Sequence, residues 1–202
     1  MTTAKKTTTS RKKTTTAKPR VIAQKIPDLP ANPFAFEVLD AASKQKTKAK
    51  KVEALQRYAD PSIKTLFIWN FDPTVISILP AGEVPYGNTK EDGKTTGTLT
   101  SKINDAVGMM NEMGSSSLGS QDQGRSSIRK EYQNFYNFVK GGNDQLSSLR
   151  RETMFINILE GLHPLEAEIV CLVKDKNLES KYKISKEVVS EAYPDIQWGN
   201  RS

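Results

Sequence analysis

The stretch Leu149-Arg150-Arg151-Glu152-Thr153-Met154-Phe155-Ile156-Asn157-Ile158-Leu159-Glu160-Gly161-Leu162-His163-Pro164-Leu165-Glu166-Ala167-Glu168-Ile169-Val170-Cys171-Leu172-Val173 decides the fold. Phe155, Ile156, Ile158 and Leu159 share one helical face, and Gly161 stands where that helix would end. His163-Pro164 opens a second helix. Proline suits the first helical position, where a missing N–H leaves no bond unmade, and the His163 ring can cap. Leu165, Ala167, Ile169, Val170, Leu172 and Val173 carry the apolar pattern onward. Helices joined this way, with no convincing alternation of polar and apolar residues elsewhere, predict an all-α body. Phe135, Phe155, Ile156, Leu159, Ile169 and Leu172 are its expected core.

Working outward, Ile128, Tyr132, Phe135, Phe138 and Val139 step by three and four, which predicts a helix ended by Gly141-Gly142. Gly141-Gly142 has no preceding strand and no Lys-Ser/Thr partner, so a phosphate loop is set aside for a helix end. On the C-terminal side, Ser185 can cap a short helix through Val188, Val189 and Ala192, stopped by Pro194. On the N-terminal side, Asn32-Pro33 and Asp60-Pro61 each read as a cap followed by a first-turn proline. They predict helices from 33 to about 42 and over 61–70, with another over about 46–58. Val75, Ile76, Ile78 and Leu79 form an apolar run too short to type. Residues 88–124 are rich in Gly, Ser, Thr and Lys and lack aromatic residues. They read as a flexible insertion, with Ile103 to Met113 able to form a transient helix.

Charge is unevenly spread. The 202-residue chain carries +7, yet residues 1–27 hold eight basic residues and no acid, while the remaining 22 basic and 23 acidic residues sum to −1. Within 1–20, Lys5-Lys6-Thr7-Thr8-Thr9 recurs as Lys12-Lys13-Thr14-Thr15-Thr16. Such a repeat cannot bury enough surface to offset an ordering cost of roughly 1–2 kcal/mol per residue, so a disordered basic arm is expected. Lys5, Lys6, Arg11, Lys12, Lys13, Lys18 and Arg20 are its candidate nucleic-acid contacts, since lysine and arginine neutralise phosphates without reading sequence. The alternative is a solubilising tail. Lys44, Lys46, Lys48, Lys50 and Lys51 form a second basic cluster, either a further nucleic-acid patch or a solvated face.

One cysteine excludes an intrachain disulfide scaffold and a Cys-rich zinc module, and one histidine argues against most metalloenzymes and triad hydrolases. No metal or cofactor is expected, and no apolar run is long enough to span a membrane. Cys171 sits among apolar residues, where burial would raise its thiol pKa and leave it inert. Tyr132, Phe135, Tyr136 and Phe138 could stack bases, although helical spacing favours a core role. Arg150 and Arg151 either contact a partner or pair with acids such as Asp144 or Glu160. Trp198 is either an exposed partner anchor or a packed side chain.

Several blocks carry a resemblance: Tyr136-Asn137-Phe138-Val139-Lys140-Gly141-Gly142-Asn143, Arg150 to Ile156, Leu159 to Ala167, Lys174-Asp175-Lys176, Val189 to Pro194, and the upstream loop Pro80 to Tyr86. Together they resemble an uncharacterised helical protein family of T4-like tailed bacteriophages, notably those of marine bacteria and cyanobacteria. The similarity is good over 127–195, weaker over 45–87 and absent over 1–30. It implies a phage origin, a small helical domain and, because members join the two blocks directly, an insertion at 88–124. It implies no activity.

The expected organisation is therefore a small irregular multi-helix domain. Residues 1–31 are arm and linker, 32–87 and 125–196 the two parts of the body, 88–124 the insertion and 197–202 a tail. The expected function is non-enzymatic: non-specific nucleic-acid binding, to DNA before RNA, through the arm, and binding of a phage or host protein through the body. The alternatives are a virion or assembly component, or an adaptor on host transcription or replication machinery. The host cytoplasm or the virion is the expected location, with no membrane partner.

Overall fold

Two helices with little solvent face set the architecture. In α3 (Pro61–Phe71), Ile63, Leu66, Phe67 and Trp69 are buried and Ile68 and Phe71 partly so. A helix that is apolar nearly all round must lie inside. In α7 (Pro164–Lys174), Ala167, Ile169, Val170 and Val173 are buried, and α3 packs on α7. The computed structural model describes residues 25–84, 98–113 and 125–199, and its regular secondary structure there is helical. Around the central pair lie α1 (Ala35–Ser43), α2 (Lys48–Arg57), α4 (Leu99–Met113), α5 (Ile128–Glu131), α6 (Ser148–Gly161), α8 (Leu178–Tyr182) and α9 (Lys186–Ala192). The parts of the chain before residue 85 and after residue 124 build one core: α1 and α3 pack on α7, and α2 packs on α9.

Local chemistry explains where the helices begin. The Asp60 Oδ1 accepts from the Ser62 N–H at 2.9 Å, ahead of Pro61 at the first helical position. The His163 Nδ1 accepts from the Leu165 N–H at 3.2 Å, so the ring caps α7. Thr47 and Ser147 cap α2 and α6 through the Lys50 and Arg150 N–H groups. Helix α1 differs from expectation. It starts at Ala35 because Phe34 is extended, and the Glu37 carboxylate accepts the Phe34 N–H at 2.8 Å.

Three expectations are corrected. The helix expected from 128 to 139 is instead α5 followed by a 3₁₀ segment, Tyr132–Phe138. Three residues per turn place Tyr132, Phe135 and Phe138 above one another, and Phe135 and Phe138 drop into the core beside Trp69, with ring centroids 5.4 and 6.2 Å away. Residues 98–113, expected within a flexible insertion, include α4, which lies on α7 and buries Leu99, Ile103 and Val107. Their spacing of four makes one helical stripe, and α7 supplies the surface it covers. The rest of that expected insertion, 88–97 and 114–124, lies outside the described residues, as do the arm residues 1–24. Ile26, placed in the linker, is buried in the core at 3% exposure.

The run too short to type is extended. The Ile78 N–H donates to the Phe138 carbonyl at 3.0 Å, and the Lys140 N–H to the Ile76 carbonyl at 2.8 Å, forming an isolated antiparallel bridge between Ser77 and Val139. Gly141 has φ +78°, and a Cβ on Gly142 would lie 1.8 Å from the Tyr136 carbonyl oxygen. The two glycines thus turn the chain tightly against the 3₁₀ segment rather than capping an α-helix.

Candidate interaction surfaces

The lysine cluster sits on the end of α1, the joint and the first turn of α2. Much of its charge is met by the body. The Lys44 Nζ pairs with Asp40 at 2.7 Å, and the Lys48 Nζ with Glu191 at 3.1 Å and Glu187 at 3.9 Å. The Lys51 Nζ donates to the Lys183 carbonyl at 2.6 Å. Lys46 is exposed and Lys50 half-buried. The cluster therefore joins α2 to α9 as much as it faces solvent. Ion pairs this exposed contribute about 0–1 kcal/mol each.

Arg150 is exposed, but Arg151 is buried and unavailable to a partner. Its expected acidic partners, Asp144 and Glu160, are replaced by carbonyls. Nε donates to Asn137 O at 2.8 Å, and Nη2 to Asn143 O and Leu146 O, each at 2.9 Å. A guanidinium offers five donors in a fixed fork, so one side chain organises the whole turn from 137 to 146. Replacing Arg151 with Met would leave three carbonyls without that donor. The expected loss is about 2–3 kcal/mol, in the range for hydrogen bonds to a charged group. Urea unfolding of the variant measures it, and a change under about 0.5 kcal/mol, normal for a surface site, would contradict the clamp. Trp198 is half-buried against the core, with the Lys186 Nζ 4.9 Å from its ring centroid; the packed alternative describes it.

Two charged groups with internal partners escaped the sequence reading. Lys174, buried at the end of α7, and the exposed Asp175 and Lys176 after it grip the extended segment 72–84. The Lys174 Nζ donates to Pro80 O at 2.8 Å, to Gly82 O at 3.1 Å and to the Asp175 Oδ1 at 2.5 Å. The Lys176 Nζ donates to Asp72 O and Val75 O, each at 2.7 Å. Lys176 adopts φ +57°, a left-handed conformation unusual for a residue with a side chain. Burial pulls its pKa below the usual lysine range. Asp175 accepts the Gly82 N–H at 3.2 Å. The three residues thus secure the segment at four carbonyls and one amide.

The second group is Glu166, on the first turn of α7. Its two oxygens accept the Ala35 N–H at 3.0 Å and the Ile128 N–H at 2.9 Å, joining the starts of α1 and α5. Arg129 stands beside it, paired with Asp60 at 2.8 Å and donating to Pro33 O at 3.2 Å. Burial raises the Glu166 pKa, and the two accepted N–H bonds and Arg129 oppose that rise. The folded state therefore holds the proton more tightly than the unfolded chain. The charged form's penalty is present above the folded pKa and relieved as pH falls toward the unfolded value. Wild-type stability minus that of Glu166→Gln should accordingly fall as pH rises through this window and level off above it. Denaturant melts from pH 4 to 7 read the difference; a rise with pH would reverse the assignment.

Among the described residues no group of three or more His, Cys, Asp or Glu could hold a metal, and no helix is long and apolar enough to cross a membrane. The Cys171 thiol is half-buried, and desolvation pushes its pKa up to about 12, away from nucleophilic reactivity. One open groove has a distinct lining. It measures about 510 Å³ and lies between α3 and the 3₁₀ segment, with Ile68, Trp69, Tyr132, Tyr136 and Lys140 among its walls.

A protein-family model described as a family of unknown function (DUF6433) matches residues 38–113 and 117–180. The matched range runs from α1 through α4, and from before α5 to α8. The basic segment 1–27 lies outside it. No match was found among curated proteins or solved structures.

Proposed function

We propose, for a chain that belongs to this family of unknown function, that it is a non-enzymatic accessory protein whose N-terminal segment binds nucleic acid without sequence preference while the helical body engages a protein partner. The observation that carries this reading is the charge division: +8 over residues 1–27 against −1 over all the rest. Lys5, Lys6, Arg11, Lys12, Lys13, Lys18 and Arg20 make the phosphate contacts. Lys25, the eighth basic residue, is already engaged with Asp28 at 3.2 Å, which holds that carboxyl below its usual range. The body's own lysines are largely committed internally, which favours the arm over the Lys44–Lys51 cluster. A phage origin, with action in the host cytoplasm or the virion, is part of the same proposal.

Changing the seven arm residues to Gln in the full-length chain tests it. Duplex DNA affinity should fall by at least tenfold at equal salt, as measured by fluorescence anisotropy. Undiminished binding would move the nucleic-acid contact to the body.

A further inference from the structure

We infer that the groove between α3 and the 3₁₀ segment is a stacking site for the bases of single-stranded nucleic acid. A large side chain is held exposed on its lining where burial would be the default: Tyr136 is 52% exposed. Tyr132 adds a second half-buried ring. The volume of about 510 Å³ falls within the roughly 300–1,000 Å³ usual for ligand pockets.

The charge of the lining favours a polyanion. Lys140 is the one charged side chain among the described lining residues, and no carboxylate is among them. An exposed aromatic ring beside a cation, on a surface without acids, is the combination that holds single strands: rings take the base faces and the ammonium takes a phosphate. Trp69, 2% exposed, belongs to the inner wall of the groove, so its emission reports on what enters. The platform is also fixed in place. The Gly142 turn lies so close to the Tyr136 carbonyl that no side chain fits between them. Duplex DNA hides its base faces, so the site selects single strands.

This inference is independent of the arm. The test uses the full-length chain with Trp198→Phe, which leaves Trp69 as the only indole of the two in the sequence. It is run at high salt, where arm electrostatics are suppressed. A thymidine oligonucleotide should quench Trp69 emission, and Tyr136→Ala should weaken its binding about 5- to 100-fold. Tyr136→Phe should retain binding, duplex affinity should not respond to Tyr136, and at low salt with the seven arm residues changed to Gln, Lys140→Gln should weaken oligonucleotide binding. Because Tyr136 is exposed, circular dichroism of the variants should match the parent. Unchanged Trp69 emission, or equal oligonucleotide affinity in a folded Tyr136→Ala chain, would overturn the site. So would quenching by a proline- and aromatic-rich peptide where the oligonucleotide gives none, which would assign the groove to a protein partner. Repeating the titration with the seven arm residues changed to Gln separates the two readings: the Tyr136 effect persists whether or not the arm binds.

Discussion

Phe155→Ala should destabilise the body by about 3–5 kcal/mol, the range for removing a buried phenylalanine. Phe155 projects from α6 into the aromatic cluster that joins three parts of the chain. Its ring meets Phe138 edge-on at 5.1 Å, and Phe138 and Phe135 both stand against Trp69 of α3. At 2% exposure it has little solvent contact to regain, and the cavity left behind would be lined by side chains pinned from the bridge at Ser77–Val139 and from the Arg151 clamp. The site therefore collapses poorly, which favours the upper half of the range. Urea unfolding followed by circular dichroism measures the loss. A value below about 1 kcal/mol, no more than an ordinary point mutation costs, would mean that α6 does not pack here.

The second large effect is electrostatic. If five to seven arm charges meet duplex phosphates, the slope of log affinity against log salt should be roughly −4 to −6, from about 0.9 per phosphate. Raising salt from about 50 to 200 mM should then weaken binding by about 250- to 4,000-fold. Unrelated duplex sequences should give closely similar slopes and affinities, because phosphate contacts carry no base information. A slope shallower than −2 would mean that few arm charges are engaged.

What could be read from the sequence was what is encoded locally. Asp60-Pro61 and His163-Pro164 announce helix starts because the cap and the proline act within one turn, and both caps form. Cys171 was legible as an inert thiol from its apolar neighbours alone. The 3₁₀ segment was misread because Tyr132, Phe135 and Phe138, spaced by three, fit either kind of helix. Only the seating of Phe135 and Phe138 against Trp69 decides between them. Helix α4 was obscured by its polar surroundings. Leu99, Ile103 and Val107 gain meaning once α7 offers a surface, a long-range fact. Arg151, Lys174 and Lys176 were opaque for a related reason. Their partners are carbonyls of distant turns, and a carbonyl has no residue signature. Ile26 looked like linker because one apolar residue among prolines gives no period.

That last residue shapes the most direct test of the central claim. A cut after residue 27 would strip Ile26 from the core and Lys25 from Asp28, confounding affinity with stability. Deleting residues 1–24 avoids both. The measurement is duplex DNA affinity of the 25–202 chain against the full chain at equal, low salt, alongside a full chain with Lys44, Lys46, Lys48, Lys50 and Lys51 changed to Gln. The deletion should bind at least tenfold more weakly with unchanged circular dichroism, while the five-lysine variant should stay within about threefold of wild type. Equal affinity of the deletion and the full chain would contradict the account and make the arm a solubilising tail.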